Sequence, residues 1–225
     1  MLAPPRATHR LFRIAGVPVY ADNSAALLLV LILVMNGRGG ALAIVASLII
    51  AAVAFSSLIA HELGHAFAVR RLGYGSSEIV LGGLGGVCKW YGRPTRGDSI
   101  KIALAGPAVS LGLGALAIAA YAVLEPAIGA VMPLRVLVMS AAFLNIAWGV
   151  FNLLPIFPMD GGRALRSALG FRYPSAAATR ISLIVSAAVG VTAAVVAYLY
   201  GEWIVSLILA MLLVQNWNEW QSATR

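Results

Sequence analysis

Charge is scarce in this sequence. Only 11% of the 225 residues are charged, whereas 61% are hydrophobic and the mean hydropathy is +0.91. A water-soluble globule of this length needs more polar surface than such a composition provides, so we predict a protein embedded in the lipid bilayer. The net charge is +8, but the basic residues do not cluster on a soluble domain, and binding to nucleic acid is not expected.

Cysteine is almost absent. The single residue, Cys88, excludes an intrachain disulfide and a zinc site built from several cysteines. The sequence also has no early apolar stretch leading to a small-residue cleavage site, so no removable signal peptide is expected. Without a repeat or a shift in composition to mark a second domain, residues 1–225 are predicted to form one membrane-embedded domain.

Long runs with almost no charge predict membrane-spanning helices. Four runs reach the roughly 20 residues that a helix needs to cross the hydrocarbon, and two shorter ones are either short spans or interfacial helices. We predict an all-α polytopic membrane protein with about six transmembrane helices. Its spans are expected at about residues 21–35, 41–72, 100–124, 132–154, 179–200 and 202–217.

The distribution of lysine and arginine predicts the orientation in the membrane. With six spans, every Lys and Arg except Arg38 and Arg135 falls on the same side of the bilayer. Cytoplasmic loops carry the excess of basic residues in membrane proteins. We therefore expect a multi-pass protein of the cell (inner) membrane with both termini in the cytoplasm.

A glycine-rich segment interrupts the helical pattern between the second and third predicted spans. Residues 76–81 read as a short strand, residues 82–86 as a glycine bend and residues 87–91 as a second extended piece. This predicts a β-hairpin-like re-entrant loop, since non-helical backbone at membrane depth must lie against protein or a wet cavity. An ordinary cytoplasmic loop is the alternative.

The strongest motif is His61-Glu62-Leu63-Gly64-His65 in the second predicted span. On a helix, residues four apart lie on one face, so both imidazoles can reach the same metal ion. Zinc accepts neutral histidine nitrogens, and a carboxylate beside the first ligand can accept a proton from a zinc-activated water. An ionisable residue inside a membrane span also indicates function, because it is costly there.

A catalytic zinc needs a third protein ligand, which we expect among the acidic residues at the depth of the histidines. His61 lies about 30 Å along the second helix from its predicted start, near the cytoplasmic boundary. Asp160 reaches a similar depth because prolines end the fourth span just before it. It is the best placed of the acids that remain, which are Asp22, Glu78, Asp98 and Asp160.

These residues resemble the motifs of one known family. The helix-borne HELGH is followed two spans later by Asn152-Leu153-Leu154-Pro155 and by Asp160-Gly161. Together they resemble the site-2 protease family of intramembrane zinc metalloproteases, in a compact form without a PDZ or CBS module. The resemblance covers the central half of the chain.

The resemblance implies a set of roles. It implies one Zn²⁺ per chain held by His61, His65 and Asp160, with Glu62 as the catalytic base. It further implies that Asn152 contacts the substrate beside the scissile carbonyl, although capping of the helix end would also explain this residue. The glycine-rich loop is expected to hold an extended substrate at Gly83 and Gly86, although simple turn chemistry accounts for glycines there as well.

The expected function is zinc-dependent cleavage of transmembrane segments near the cytoplasmic face, with a single-span membrane protein as substrate. A membrane zincin with a glutamate as the third ligand is an alternative within the enzymes. A catalytically silent membrane zinc protein or a transporter-like partner is the alternative outside them. The substrate's identity and the oligomeric state do not follow from the sequence.

Overall fold

Helices dominate the computed structural model, which describes residues 8–36, 40–83, 85–128 and 130–224. Four short strands lie in the N-terminal half. The elements in chain order are β1 (Thr8–Ile14), β2 (Val17–Asp22), α1 (Ala26–Asn36), α2 (Ala41–Arg71), β3 (Ser77–Gly82), β4 (Gly85–Trp90), α3 (Arg96–Ile128), α4 (Met132–Leu153), α5 (Asp160–Leu169), α6 (Ser175–Leu199) and α7 (Trp203–Thr224).

Among the described residues, four helices are long and apolar enough to cross a membrane, namely α2, α3, α4 and α6. They match the four long spans expected from the sequence, so the protein is a multi-pass membrane protein. Helix α1 has only 11 residues, fewer than the roughly 20 needed for an untilted span. Helix α7 has 22 residues but ends in the polar sequence NWNEWQSAT, and it is not among the four. The total of six spans therefore stays a prediction.

The expectation of an all-α protein was wrong in one respect, because the strands form a four-stranded sheet in the order β1-β2-β3-β4. Strands β1 and β2 were missed, and residues 21–22, assigned to the first span, belong to β2. Strand β2 pairs in parallel with β3, and Val19 lies opposite Ile79. Local sequence does not reveal a pairing across so long a separation, since strand preference depends on neighbours in the sheet.

The predicted hairpin between the second and third spans is present as β3 and β4. The two strands are antiparallel, with Ile79 opposite Cys88 and Leu81 opposite Gly86. Leu84, at the predicted bend, lies outside the described residues. Strand β4 is last in the strand order and therefore forms an edge of the sheet. That the hairpin is re-entrant stays a prediction.

One compact unit comprises the described residues of Met1–Arg93 and Ala108–Gly149. Its core is the face of the sheet packed against α2, where Val19, Ile79 and Leu81 meet Leu58 and Ala66. These side chains are almost fully buried. The sheet is thereby placed directly on the helix that carries the HELGH motif.

A second compact unit comprises the described residues of Pro94–Pro107 and Val150–Arg225. Its core contains Ile156, Met159 and Leu209. Helices α6 and α7 are joined by a buried hydrogen bond in which Asn216 Nδ2 donates to the carbonyl oxygen of Leu183 at 3.1 Å. This unit therefore contains the segment between α4 and α5, which leads to the predicted third ligand, Asp160.

Candidate metal centre

The HELGH motif lies on the membrane-spanning helix α2, as predicted. His61, Glu62 and His65 are 2%, 6% and 7% exposed. The Nε2 atoms of His61 and His65 are 3.3 Å apart, because the four-residue spacing places the two rings one above the other. Two histidine nitrogens that are this close together can both bind the same metal ion.

Two side chains from other helices hold the His61 ring. Ser110 of α3 forms a buried hydrogen bond of 3.0 Å with His61 Nδ1. The indole of Trp148, on α4, meets the ring edge-on, with 6.5 Å between ring centroids and an interplanar angle of 85°. Sequence reasoning did not identify either residue. The sequence around Ser110 shows only a polar residue inside an apolar span, and this residue belongs to no motif.

The hairpin lies against the side chain of Glu62. A Cβ atom built on Gly86 of β4 would be 3.0 Å from Glu62 Cγ, 3.4 Å from Glu62 Oε1 and 3.4 Å from Leu58 Cδ1. Glycine therefore lets the backbone of an edge strand approach the predicted base closely. The tightness of this contact means that any side chain at position 86 must displace a neighbour.

The turn of the hairpin is held by a serine that follows β2. Gly83 has a φ angle of +60°, and its N–H donates to Ser24 Oγ. Ser24 in turn donates its backbone N–H to Asp22 Oδ1 at 2.8 Å. Turn geometry thus explains the glycine at position 83. Its contact with substrate stays a prediction.

Asp160 is the first residue of α5 and is 7% exposed. The two glycines after it are required by close packing, because a Cβ on Gly161 would overlap the carbonyl oxygens of Leu153 and Leu154, and one on Gly162 would lie 2.7 Å from Ile156 O. Helix α5 therefore starts directly against the chain that leaves α4. This packing fixes the backbone that carries the Asp160 carboxylate.

The loop before Asp160 has further supports within the same unit. The backbone N–H of Phe157 donates to Ser186 Oγ at 2.7 Å. The guanidinium of Arg166 lies over the Phe157 ring at 4.8 Å and donates to Glu219 Oε1 at 2.8 Å. Three helices, α5, α6 and α7, thus hold the segment that leads to Asp160.

The other acids considered as third ligands lie elsewhere. Asp22 accepts hydrogen bonds from Ser24. Asp98, in the first turn of α3, accepts a hydrogen bond from the Thr95 hydroxyl at 2.8 Å. Glu78 is half-buried in β3. Asn152, which was predicted to contact the substrate, is half-buried one residue before the end of α4.

Among the described residues, His61, His65 and Asp160 are the group of metal-ligating side chains that could hold one metal ion, and all three are buried. Two imidazoles and a carboxylate are a donor set that fits zinc and leaves a fourth position for water. A helical membrane protein with a buried HExxH helix and such a ligand group has the features of a membrane zinc metalloprotease.

Comparison with known proteins supports this class. The model of peptidase family M50 matches residues 127–193. The zinc metalloprotease MJ0392 from Methanocaldococcus jannaschii is 32% identical over 205 residues, which are 90% of this chain and 56% of the relative. Rip3 from Mycobacterium tuberculosis is 40% identical over 146 residues, which are 61% of this chain and 32% of the relative.

The fold is also similar to a solved structure, that of the site-2 protease from Methanocaldococcus jannaschii. The TM-score is 0.65 with 26% sequence identity, and 95% of each chain is covered. The chain belongs to peptidase family M50, the site-2 protease family. The resemblance seen in the sequence is therefore confirmed, and zinc is the metal of the family and of this ligand group.

The chain spans only part of the curated relatives that it matches, 56% of MJ0392 and 32% of Rip3. What the longer proteins do as a whole does not transfer automatically to this chain.

Proposed function

We propose that this chain is a zinc-dependent intramembrane endopeptidase that cleaves transmembrane segments of single-span membrane proteins near the cytoplasmic face. The observation that carries the proposal is the burial of His61, Glu62 and His65 on a helix apolar enough to cross the bilayer. Membership of the site-2 protease family implies membrane proteins as substrates. A buried site on such a helix suits a substrate that arrives through the membrane.

The residues of the centre take distinct roles in this proposal. His61, His65 and Asp160 hold one zinc ion per chain, which when bound lowers the pKa of a water molecule to about 7 and polarises a carbonyl oxygen. Glu62 accepts a proton from the attacking water on a carboxylate oxygen and passes it to the leaving amine. Burial of the Glu62 side chain keeps bulk water away from this transfer.

The substrate binds along the hairpin. A peptide bond inside a helix is shielded, so a transmembrane substrate must be extended locally before cleavage, and an edge strand offers its backbone new hydrogen-bond partners. Strand β4 is such an edge, and Gly86 brings it against Glu62. In the proposal Gly83 and Gly86 contact the extended segment, and Asn152 donates to the carbonyl oxygen at the scissile bond.

The proposal places residues 1–225 in one membrane-embedded peptidase domain of the cell (inner) membrane. The first and last apolar segments, residues 21–35 and 202–217, complete six spans, and both termini are cytoplasmic. The excess of basic residues on one side supports this orientation. Fusion of a reporter to each terminus, with protease protection in sealed vesicles, tests it.

The decisive experiment compares Glu62→Gln with the wild type. Each is co-expressed with a library of tagged single-span membrane proteins, and the fragments are identified by mass spectrometry. Glutamine cannot accept the proton but leaves all three ligands in place, so we expect fragments with the wild type and none with Glu62→Gln. Glu78→Gln, the same change on strand β3, is the matched control and should behave as the wild type.

Zinc content separates the remaining outcomes. All three proteins should contain about one zinc ion per chain by elemental analysis, because none of the changes removes a ligand. If Glu62→Gln kept its zinc and released the same fragments as the wild type, the protein would be a catalytically silent membrane zinc protein, and the proposal would be wrong.

A further inference from the structure

A fully buried serine lies in the middle of the membrane-spanning helix α3. Ser110 is 0% exposed, and its hydroxyl is 3.0 Å from His61 Nδ1. Helix α3 is apolar enough to cross a membrane, so a hydroxyl buried on it needs a hydrogen-bond partner. The hydrogen bond to His61 supplies one, across 49 residues of sequence.

The direction of this hydrogen bond decides which ring nitrogen of His61 can bind metal. A neutral imidazole has one N–H and one free lone pair, and the partner of one nitrogen sets the state of the other. If Ser110 Oγ accepts from Nδ1–H, the lone pair is on Nε2. Nε2 is the atom that faces His65 Nε2 at 3.3 Å, so this arrangement directs the His61 lone pair towards the place where a metal ion shared with His65 would bind.

The opposite direction does not suit a zinc-binding Nε2. A serine that donated to Nδ1 would put the ring proton on Nε2, between the two imidazoles, where a metal ligand needs a lone pair. Trp148 contacts the ring edge-on and so limits its tilt. Ser110 therefore makes a contact with His61 Nδ1 that can select the tautomer.

We propose that Ser110 is a positioning residue for the metal centre, which accepts a hydrogen bond from His61 Nδ1 and thereby fixes Nε2 as the zinc-binding atom. The inference rests on the proposed function only in so far as His61 is a zinc ligand. Partners of this kind orient ligating histidines, and their removal typically weakens metal binding about 10- to 100-fold. A neutral hydroxyl does so without placing a second carboxylate in an apolar span.

The test measures zinc affinity. Ser110→Ala and wild type are purified in detergent, stripped of metal and titrated with zinc against a chromogenic chelator. We expect Ser110→Ala to bind zinc about 10- to 100-fold more weakly than the wild type. Proteolysis plays no part in this measurement, so its result does not depend on finding a substrate.

Ser47→Ala is the matched control. Ser47 is also 0% exposed on a membrane-spanning helix, and its hydroxyl donates to the carbonyl oxygen of Ala43 at 2.7 Å. The same atom is removed in both variants, but only Ser110 contacts the metal centre. We expect Ser47→Ala to bind zinc as the wild type does, and both variants to unfold at similar temperatures without metal.

A hydroxyl-bearing replacement separates the hydrogen bond from packing. Ser110→Thr keeps the acceptor, so its zinc affinity should lie closer to the wild type than that of Ser110→Ala. Wild-type zinc affinity in Ser110→Ala, or an equal loss in Ser47→Ala, would overturn the inference while leaving the protease proposal intact. Failure of the wild-type chain to bind zinc at all would instead contradict the proposed function.

Discussion

The contact between Gly86 and Glu62 yields a prediction about the proposed catalytic base. A Cβ at position 86 would be 3.0 Å from Glu62 Cγ, whereas carbon atoms pack best at about 3.5 to 4.0 Å. The φ angle of Gly86 is outside the left-handed region, so alanine is compatible with the backbone. In Gly86→Ala the Glu62 side chain must therefore yield by roughly half an ångström.

The magnitude follows from how sensitive catalysis is to position. A displacement of about 1 Å can cost on the order of 100-fold in rate, so a shift of about half that predicts a loss of roughly tenfold in kcat for Gly86→Ala. Zinc content should stay at about one ion per chain, since Glu62 is not a ligand. A fall in kcat with unchanged zinc and unchanged KM would identify displacement of Glu62 as the cause, because a lost substrate contact at Gly86 would raise KM instead.

The assay uses proteoliposomes that contain the purified enzyme and a tagged single-span substrate found by the co-expression experiment. Gly85→Ala is the control in the same strand, because a Cβ there meets only Trp148, at an ordinary contact distance of 4.0 Å. Wild-type activity in Gly86→Ala would refute the reasoning. An equal loss in Gly85→Ala would show that a side chain added at either glycine of this strand impairs catalysis.

Three further predictions concern the segment around the third ligand. Asp160→Ala should lose its zinc, measured by elemental analysis, whereas Glu78→Ala should keep it. The reverse result would make Glu78 the third zinc ligand. Gly161→Ala should be destabilised by about 3 kcal/mol or more, because its Cβ would overlap backbone carbonyl oxygens. We expect a poor yield or a lower unfolding temperature in detergent. An unfolding temperature equal to that of the wild type would contradict this packing. Glu219→Gln should cost about 0.5 to 1 kcal/mol of stability, because it breaks a 2.8 Å ion pair with Arg166 whose side chains are 27% and 33% exposed, for Arg166 and Glu219 respectively. The measurement is a small fall in unfolding temperature. A loss as large as that of Gly161→Ala would contradict this estimate and show that the ion pair contributes far more to stability.

Much of the membrane architecture followed from local sequence. Long apolar runs must be helical inside a bilayer, because a helix satisfies its own backbone hydrogen bonds. The four long runs accordingly became α2, α3, α4 and α6. The hairpin at residues 77–90 was also predictable, since glycines mark its bend and strand-forming residues flank it.

Other features depended on contacts between distant parts of the chain. Strand β2 was missed because Val19 gains its partner, Ile79, only in the sheet. The short helix α5 was also not expected, since its start is set by the packing of Gly161 against the end of α4. The ten residues of α5 are amphipathic and so carry a local helical signal, but the position at which the helix starts has none.

The sequence by itself determined which residues of α2 meet at the centre. Helical spacing brings together His61, Glu62 and His65, and this local property can be read from five residues. Only the tertiary structure decided how that chemistry is held: Ser110 against His61 Nδ1, and Gly86 against Glu62. These contacts join residues far apart in the chain, so their distances depend on how the helices and the sheet pack, and no spacing in the sequence encodes them.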